Sequence, residues 1–396
     1  MRFLLNVGKN HWFDQRMLDG LGDALWDLGH EAYVVNIPQE KRTAEIYDKA
    51  DVIVEINHPR DDFVPLDAIH IAWIQDYILE EYKVSYDDCC LPHDIIYTFG
   101  YGPLIGAPTH TWKHYRGSLL TGVDKELLNR PPTKQYVDFS IVGFIPPPLH
   151  EWLPEKDDYP PEDGKLTKAD VVLCLVDAMR RYYKPMRCHL DPNAAMERLK
   201  RGLQEMVLAR KIENQRPGAF EELWEHTKTH AGEFIQEYAR LCDRRTIARL
   251  ILSVSENTEF RGRNWERWPE FADWAKPYTD NVEKLLKTYQ RSKINVHNNP
   301  SGFSMHHRVL ESMAVGGFVM SHTSPHGTLA GQITESFVPD VHFGEYTVES
   351  FHDRASYWLE NTKAREDVCM SARKVIRTKH LWSDRATQIL RDLSIR

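Results

Sequence analysis

The first third of the chain alternates short apolar runs with stretches of helical periodicity. Residues 3–7 form an apolar run of strand length, and the apolar residues of 13–28 recur every three or four positions, as on one face of a helix. Gly29 follows where a helix C-cap belongs. Four more strand-like runs lie at residues 31–37, 51–56, 71–74 and 94–98. This alternation predicts a parallel sheet with helices on both faces.

A second α/β unit is predicted after the proline pair at positions 131 and 132. A new β run covers residues 136–143, and residues 165–255 have helical character without a clear strand. Further strands are predicted at 259–264, 293–297 and 317–321, and helices at 281–289, at 305–314 and from 350 onward. We therefore divide the chain into a first domain (1–133), a second domain (134–375) with a helical insertion at about 150–255, and a C-terminal helix (376–396) that can pack back on the first domain.

Composition narrows the class of protein. The chain has 396 residues, of which 42% are hydrophobic and 27% charged, as in soluble proteins with two domains that share a cleft. A net charge of −8 argues against a protein that coats nucleic acid or anionic membranes. Without an apolar stretch of membrane-spanning length or a signal peptide, we expect a cytoplasmic protein. The six cysteines have no C-x-x-C spacing, which indicates neither a zinc site nor a disulfide framework.

The most informative segment covers residues 292–321, and it reads as a strand, a polar loop with Gly302, a helix, a Gly-Gly turn and another strand. A helix entered through a loop of small residues offers free backbone N–H groups to a diphosphate. Arg308 and Glu311 share one face of that helix, where a guanidinium can bind phosphate and a carboxylate can accept ribose hydroxyls. The alternative is a surface helix with an Arg308–Glu311 ion pair.

Three segments of the chain resemble one family. Residues 308–318, Arg-Val-Leu-Glu-Ser-Met-Ala-Val-Gly-Gly-Phe, are similar to the C-terminal motif of CgeB-like, spore-maturation-type glycosyltransferases, which are related to the family-4 group. The Phe-Arg-Gly-Arg-Asn-Trp run at 260–265 and the Gly-Val-Asp segment at 122–124 resemble flanking features of the same family. The resemblance implies the GT-B fold, in which two Rossmann-like domains face each other across a cleft. It also implies transfer of a sugar from a nucleotide diphosphate sugar.

The resemblance assigns the donor to the second domain. Glu311 would hold the ribose or the sugar, and Arg308 the diphosphate, with Arg261 and Arg263 as further phosphate ligands or, equally, as an ordinary solvated charge pair. The polar loop and the start of its helix add further donor-binding candidates, which are Asn298, Gly302, Ser304 and His307. Many retaining family-4 enzymes carry a second glutamate eight positions before the equivalent of Glu311, where this chain has Phe303. The stereochemical outcome therefore stays open.

No D-x-D triplet is present, which removes the metal–diphosphate motif of the other large glycosyltransferase fold. We therefore expect a metal-independent transfer without a cofactor, in which arginine and helix amides neutralise the departing diphosphate. His322 and His326 have the spacing of a helical metal pair, but Pro325 argues against a helix there.

If the enzyme inverts, it needs a general base from the first domain. Asp76 ranks first, His11 second, and His58 is a further candidate.

A basic run in the insertion suggests an acceptor site. Arg180, Arg181 and Lys184 belong to a cluster of lysines and arginines that could steer an anionic acceptor, although a solvated helix face is the simpler interpretation. The acceptor stays open among a glycan, a protein and DNA, and so does the oligomeric state. Besides the leading hypothesis, we carry two others: a DNA-modifying glycosyltransferase acting on hydroxymethylated bases, and a catalytically silent module that binds nucleotide sugars.

Overall fold

The computed structural model shows two parallel sheets, each covered by helices. It describes residues 1–7, 12–38, 41–76, 86–151, 168–186, 190–211, 217–298, 304–324 and 326–394. The predicted residues His11, Gly302 and Phe303 lie outside these ranges.

The first sheet has six strands in the order β2-β1-β3-β4-β5-β6. They are β1 (Arg2–Asn6), β2 (Glu31–Val35), β3 (Val52–Ile56), β4 (Ile69–Ile74), β5 (Ile95–Thr98) and β6 (Tyr115–Ser118). Every neighbouring pair is parallel. Helix α1 (Trp12–Asp27) follows β1 and ends before Gly29, whose φ of 84° is the left-handed cap conformation that glycine adopts without strain. The short helix α2 (Ala44–Tyr47) precedes β3.

The second sheet also has six parallel strands, in the order β12-β11-β10-β7-β8-β9. They are β7 (Val137–Val142), β8 (Thr258–Arg261), β9 (Ala275–Lys276), β10 (Ser292–His297), β11 (Val319–His322) and β12 (Gly344–Tyr346). Pairing between β7 and β10 places residues from distant parts of the chain side by side, with Ile294 opposite Phe139. Both side chains are fully buried in the core of this domain.

Eight further α-helices lie in the described part of the chain. They are α3 (Lys168–Tyr182), α4 (Pro192–Ala209), α5 (Ala219–Leu252), α6 (Val282–Arg291), α7 (His307–Ala314), α8 (Phe351–Glu360), α9 (Thr362–Lys379) and α10 (Trp382–Ser394). Helices α3, α4 and the first part of α5 enclose a hydrophobic core of their own, which makes the insertion a small helical bundle. No helix within these described ranges combines the length and apolarity that a membrane crossing requires.

The last helix packs against the first sheet's domain. The Trp382 indole lies against Gly20 of α1, where a Cβ would come within 2.2 Å of Trp382 Nε1. Tyr97 Oη donates a hydrogen bond of 2.7 Å to Asp392 of α10, and a parallel bridge joins Val123 to Leu381. Burial of a side chain the size of Trp382 contributes about 2–3 kcal/mol to such docking. The C-terminal segment therefore ties the two halves of the chain together.

Candidate functional site

The second sheet has a topological switch point between β7 and β10. From β7 the chain order runs one way to β8 and the other way to β10, which is the arrangement that forms a ligand crevice in open parallel sheets. Ligands of open parallel sheets collect at such crevices, at the carboxyl ends of the strands. Gly143 follows β7, Asn298 follows β10, and α7 begins near the same edge.

Two arginines meet at this crevice. The backbone of Gly143 has a φ of 149°, and a Cβ there would lie 2.6 Å from Arg308 Nη1 and 2.9 Å from Arg244 Nη2. Arg308 comes from the first turn of α7, whereas Arg244 comes from the long helix α5 of the insertion. Glycine is therefore required at position 143 for the two guanidinium groups to approach the turn.

Neither guanidinium forms an ion pair with a carboxylate of the residues that the structure describes. Arg244 is only 5% exposed, and burial together with Arg308 and Arg240 lowers its pKa to about 9. Burial also lowers the pKa of Arg308, whose Nε atom is out of reach of solvent and has no hydrogen-bond partner among the described residues. Two buried cations side by side repel each other. A bound anion would relieve this repulsion.

Helix α7 directs its N-terminus at the same place. His306 is its N-cap, and its Nδ1 accepts a hydrogen bond of 3.2 Å from the backbone N–H of Arg308. Burial and the charge of Arg308 hold the pKa of His306 well below its usual range, so the ring is neutral and can accept this bond. The predicted start of the helix at 305 is thus two residues early.

Glu311 is buried one turn further along α7. One of its oxygens, Oε1, lies 3.3 Å from His307 Nε2 and also pairs with the Arg16 guanidinium of α1. Although burial favours the protonated form, His307 and Arg16 lower the pKa of Glu311 to about 2. The structure does not show the alternative, a surface ion pair between Arg308 and Glu311, because Glu311 faces the interior and pairs with a cation from the first domain.

Two further donor-binding candidates, Asn298 and Ser304, lie between β10 and α7. Asn298 donates a hydrogen bond of 3.1 Å to Asp243, next to Arg244, which brings it to the crevice. Ser304 Oγ donates to Gln332 and accepts from the N–H of Ile333, which links residue 304, just before α7, to the segment around Gln332.

Arg261 and Arg263 engage other groups on the edge that β8 and β9 form. The Arg261 guanidinium donates to the carbonyl of Pro277 at 3.1 Å and lies 3.9 Å from Glu259. The Arg263 guanidinium stacks over the ring of Tyr278 at 4.6 Å. Their assignment as phosphate ligands stays a prediction.

Of the candidate bases, Asp76 and His58 are described and both are hydrogen-bonded. Asp76 is exposed at the end of β4 and accepts a bond of 2.7 Å from Asn57, at the end of β3. His58 lies between the carbonyl of Pro59, at 2.7 Å from its Nδ1, and the Arg42 guanidinium. Asp76 therefore presents a carboxylate at the carboxyl edge of the first sheet, whereas His58 belongs to a polar cluster with Arg42 and Glu55.

The predicted acceptor residues lie on and just after α3. Arg181 pairs with Asp177 on the same helix and lines an open groove of about 680 Å³ between α3 and α4, together with Arg198 and Arg201. Lys184 follows α3. Burial raises the pKa of Tyr238 on α5, and the nearby charge of Arg180 opposes this rise. These positions agree with a solvated helix face, and an acceptor role stays a prediction.

Two residues of the site were not found by the sequence analysis. Arg244 is one of many basic residues in a long amphipathic region, and no local pattern marks it. Arg16 lies on a helix of the other domain, and only the folded chain brings it to Glu311. The buried polar atoms of the site that lack a hydrogen-bond partner in the described structure are Arg16 Nη1, Tyr289 Oη, His297 Nε2, both ring nitrogens of His307, Arg308 Nε, Glu311 Oε2 and Ser312 Oγ. Native proteins rarely leave so many polar atoms unpaired except where a ligand or water binds.

Solved structures with the same arrangement of domains are known. A glycosyltransferase from Rickettsia africae superimposes with a TM-score of 0.50 and 11% identity, covering 100% of this chain and 98% of the other. Anabaena HepE in complex with UDP and glucose gives 0.52 and 9%, and an alpha-glucosyltransferase in complex with UDP gives 0.53 and 9%, each with 100% of both chains covered. The fold is that of the GT-B glycosyltransferases. This confirms the predicted fold class.

Residues 233–391 match the family model described as "Glycosyl transferase-like". The matched range contains Arg244, Arg308 and Glu311, together with most of the second sheet. No curated protein matches the chain. With the fold, the family match confirms the predicted class of enzyme, a glycosyltransferase.

Proposed function

We propose that the protein transfers a sugar from a UDP-sugar, with the donor diphosphate bound between Arg244 and Arg308. The observation that carries the proposal is the pair of guanidinium groups that converge on the Gly143 turn without a described carboxylate partner. Two UDP-bound proteins with this fold support uridine as the base. Transfer without a metal ion and membership of the CgeB-like group are parts of the same proposal.

The geometry suits stabilisation of a leaving diphosphate. As the bond between the sugar and the β-phosphate breaks, negative charge grows on the phosphate oxygens. Two fixed guanidinium groups and the N-terminus of α7 then interact more strongly with the phosphate than they did before reaction. Because both arginines are held by rigid helices, little reorganisation is needed. On this proposal, arginine side chains supply the positive charge that a divalent cation supplies in metal-dependent glycosyltransferases.

The opposite side of the cleft is proposed to bind the acceptor. The carboxyl edge of the first sheet carries Asp76, which we propose as the general base of an inverting reaction; His11 remains the second candidate from the sequence. The acceptor itself is left open among a glycan, a protein and DNA.

A thermal-shift panel tests the class of donor. Full-length protein is heated with UDP-, GDP-, ADP- and TDP-sugars, with glucose 1-phosphate as a control that lacks a nucleotide. At a ligand concentration about 100 times its Kd, binding adds about 2.7 kcal/mol, which shifts the Tm by several degrees. We expect the UDP-sugars to give the largest shift. A panel in which no nucleotide sugar shifts the Tm would refute the proposal.

Turnover separates an enzyme from a silent binding module. UDP released from the sugar that stabilises best is measured without an acceptor, because many transferases hydrolyse their donor slowly. We expect release above the rate without protein. Stabilisation by the donor without any release of UDP would instead favour the silent module.

A further inference from the structure

Glu311 presents two unequal oxygens to the site. Oε1 is held by His307 and by the Arg16 guanidinium, whereas Oε2 is buried and has no hydrogen-bond partner among the described residues. An ionised carboxylate can accept several hydrogen bonds, so a buried oxygen without a partner is costly. The free oxygen is therefore the natural acceptor for hydroxyl groups of a ligand.

Arg16 comes to Glu311 from the other domain, and α1 holds it there in several ways. Phe13, one turn before Arg16, stacks on the ring of His306 with centroids 5.6 Å apart and meets His307 edge-on at 5.5 Å. The Trp12 ring packs 5.2 Å from the Arg16 guanidinium. The start of α1 is thus fixed on the start of α7.

These contacts give Arg16 a role that a surface ion pair would not have. Its side chain is only 17% exposed and that of Glu311 is 1% exposed, so the pair is shielded from solvent and from salt. Loss of the guanidinium would leave the carboxylate with His307 alone and free to rotate towards it. Oε2 would then lose its fixed direction.

We propose that Arg16 is a positioning residue that fixes Glu311 from across the domain cleft, so that Oε2 receives the ribose hydroxyls of the donor only when the two domains are docked. The inference rests on the proposed nucleotide-sugar function and extends it. Recognition of the ribose becomes dependent on the first domain, whereas binding of the diphosphate by Arg244 and Arg308 does not.

The test compares ligands with and without the ribose hydroxyls. The Kd values of UDP, of 2′,3′-dideoxyuridine diphosphate and of pyrophosphate are measured by calorimetry for the wild type and for Arg16→Met, Arg16→Lys and Glu311→Gln. In the wild type we expect UDP to bind at least about 10-fold more tightly than the dideoxy ligand, since a hydrogen bond to a charged group contributes about 1.5–3 kcal/mol. In Arg16→Met this ratio should fall to about 2 or less.

Three controls show that the loss is specific. Pyrophosphate should bind Arg16→Met as it binds the wild type, which shows that the phosphate site is folded. Arg16→Lys should recover part of the ratio, because the charge is kept although the fork of donors is lost. Lys125→Met, which removes an exposed ion pair with Asp27 near the far end of α1, should keep the full ratio.

Each result decides a separate point. If Arg16→Met keeps the wild-type ratio while Glu311→Gln loses it, Arg16 does not position Glu311 and this inference is overturned. If the wild type binds UDP but does not distinguish it from the dideoxy ligand, the ribose role of Glu311 is overturned with it. If the wild type binds none of the three ligands, the proposed function fails, and the inference fails with it.

Discussion

The residues that most clearly mark the site are two buried arginines. Arg244 and Arg308 lie together at the Gly143 turn, and the structure describes no carboxylate paired with either. Folding brings two cations to the same turn at a cost in stability, which other parts of the chain must offset. Such a cost is typical of functional sites, where groups are arranged for a ligand rather than for stability.

Replacement of Gly143 by alanine tests this geometry. The added methyl group would overlap both guanidinium groups, at 2.6 Å and 2.9 Å, and would sit on a backbone with a φ of 149°. We expect UDP affinity to fall at least about 10-fold, because displaced charge-assisted hydrogen bonds contribute about 1.5–3 kcal/mol each. Calorimetric titration of UDP measures the change.

The matched control is Gly29→Ala. Gly29 also has a positive φ, 84°, but a Cβ there meets no atom within 4 Å. This variant should lose about 1 kcal/mol of unfolding free energy from backbone strain and keep the wild-type affinity for UDP. Equal affinities for Gly143→Ala and Gly29→Ala would mean that the Gly143 turn does not belong to the donor site.

How far the sequence predicts the site depends on how local each signal is. Arg308 and Glu311 share one turn of α7, and a strand–loop–helix pattern together with a family motif marks them. The partner of Glu311 was not predictable, because the rule that relates side chains three or four apart describes one helix and not two.

At the scale of elements, local patterns identified most of the strands and helices. The strands that the patterns missed are short and lie at or near sheet edges: β6 has four residues, β9 two and β12 three. Their partners in the sheet specify them more than their own sequence does, since edge strands bury fewer side chains. The predicted segment 259–264 likewise ends earlier, at Arg261, where the chain turns at Gly262.

Helix α5 is the element that links the insertion to the donor site. Asp243 on this helix accepts hydrogen bonds from Tyr183 Oη at 3.0 Å, from the N–H of Met186 at 2.9 Å and from Asn298. Its neighbour Arg244 faces the Gly143 turn. The insertion, in which the sequence suggested an acceptor site, therefore also shapes the crevice.

The pH dependence of the unfolding free energy tests the burial of Asp243. Burial raises the pKa of Asp243 to about 6, above the value of 3.8 for an exposed aspartate, so the folded state binds this proton more tightly than the unfolded chain. The residue therefore costs stability as the pH rises through the window between these two values. Asp243→Asn removes that cost, and its unfolding free energy relative to the wild type should increase by about 1 kcal/mol between about pH 5 and pH 8.

Urea unfolding at the two pH values checks this prediction. Asp177→Asn on α3, where the carboxylate is half-exposed and pairs with Arg181, should keep the pH dependence of the wild type. A difference between Asp243→Asn and the wild type that does not change with pH would show that Asp243 is ionised in both states.

For the molecule as a whole, several contacts among the described residues join the two domains. Helix α10 packs on α1, the start of α1 packs on the start of α7, and Arg16 pairs with Glu311. One hydrophobic cluster continues through these contacts, from the first sheet to α7 and α10. A change in the docking of the domains would therefore reach the donor site directly, through Glu311.

The domain boundaries predicted from the sequence, at about 133 and 375, stay a prediction in their details. The two sheets do divide the described chain between β6 and β7, and α10 does return to the first domain. The proline pair gave a local signal for the division. The return of α10 depends on Gly20 and Trp382, which are far apart in sequence, so no local pattern fixes it.

The proposed function requires Arg244 and Arg308 to bind a nucleotide diphosphate, and calorimetric titration of UDP into the double variant Arg244→Gln/Arg308→Gln tests this requirement most directly. Arg245→Gln, at the next position of α5 where the side chain pairs with Glu270, is the matched control. We predict that the double variant loses at least about 100-fold in affinity, since two charge-assisted contacts disappear, while its unfolding free energy is no lower than that of the wild type. The control should bind UDP as the wild type does. Wild-type affinity in a folded double variant would contradict the proposed role of the two arginines in binding the diphosphate.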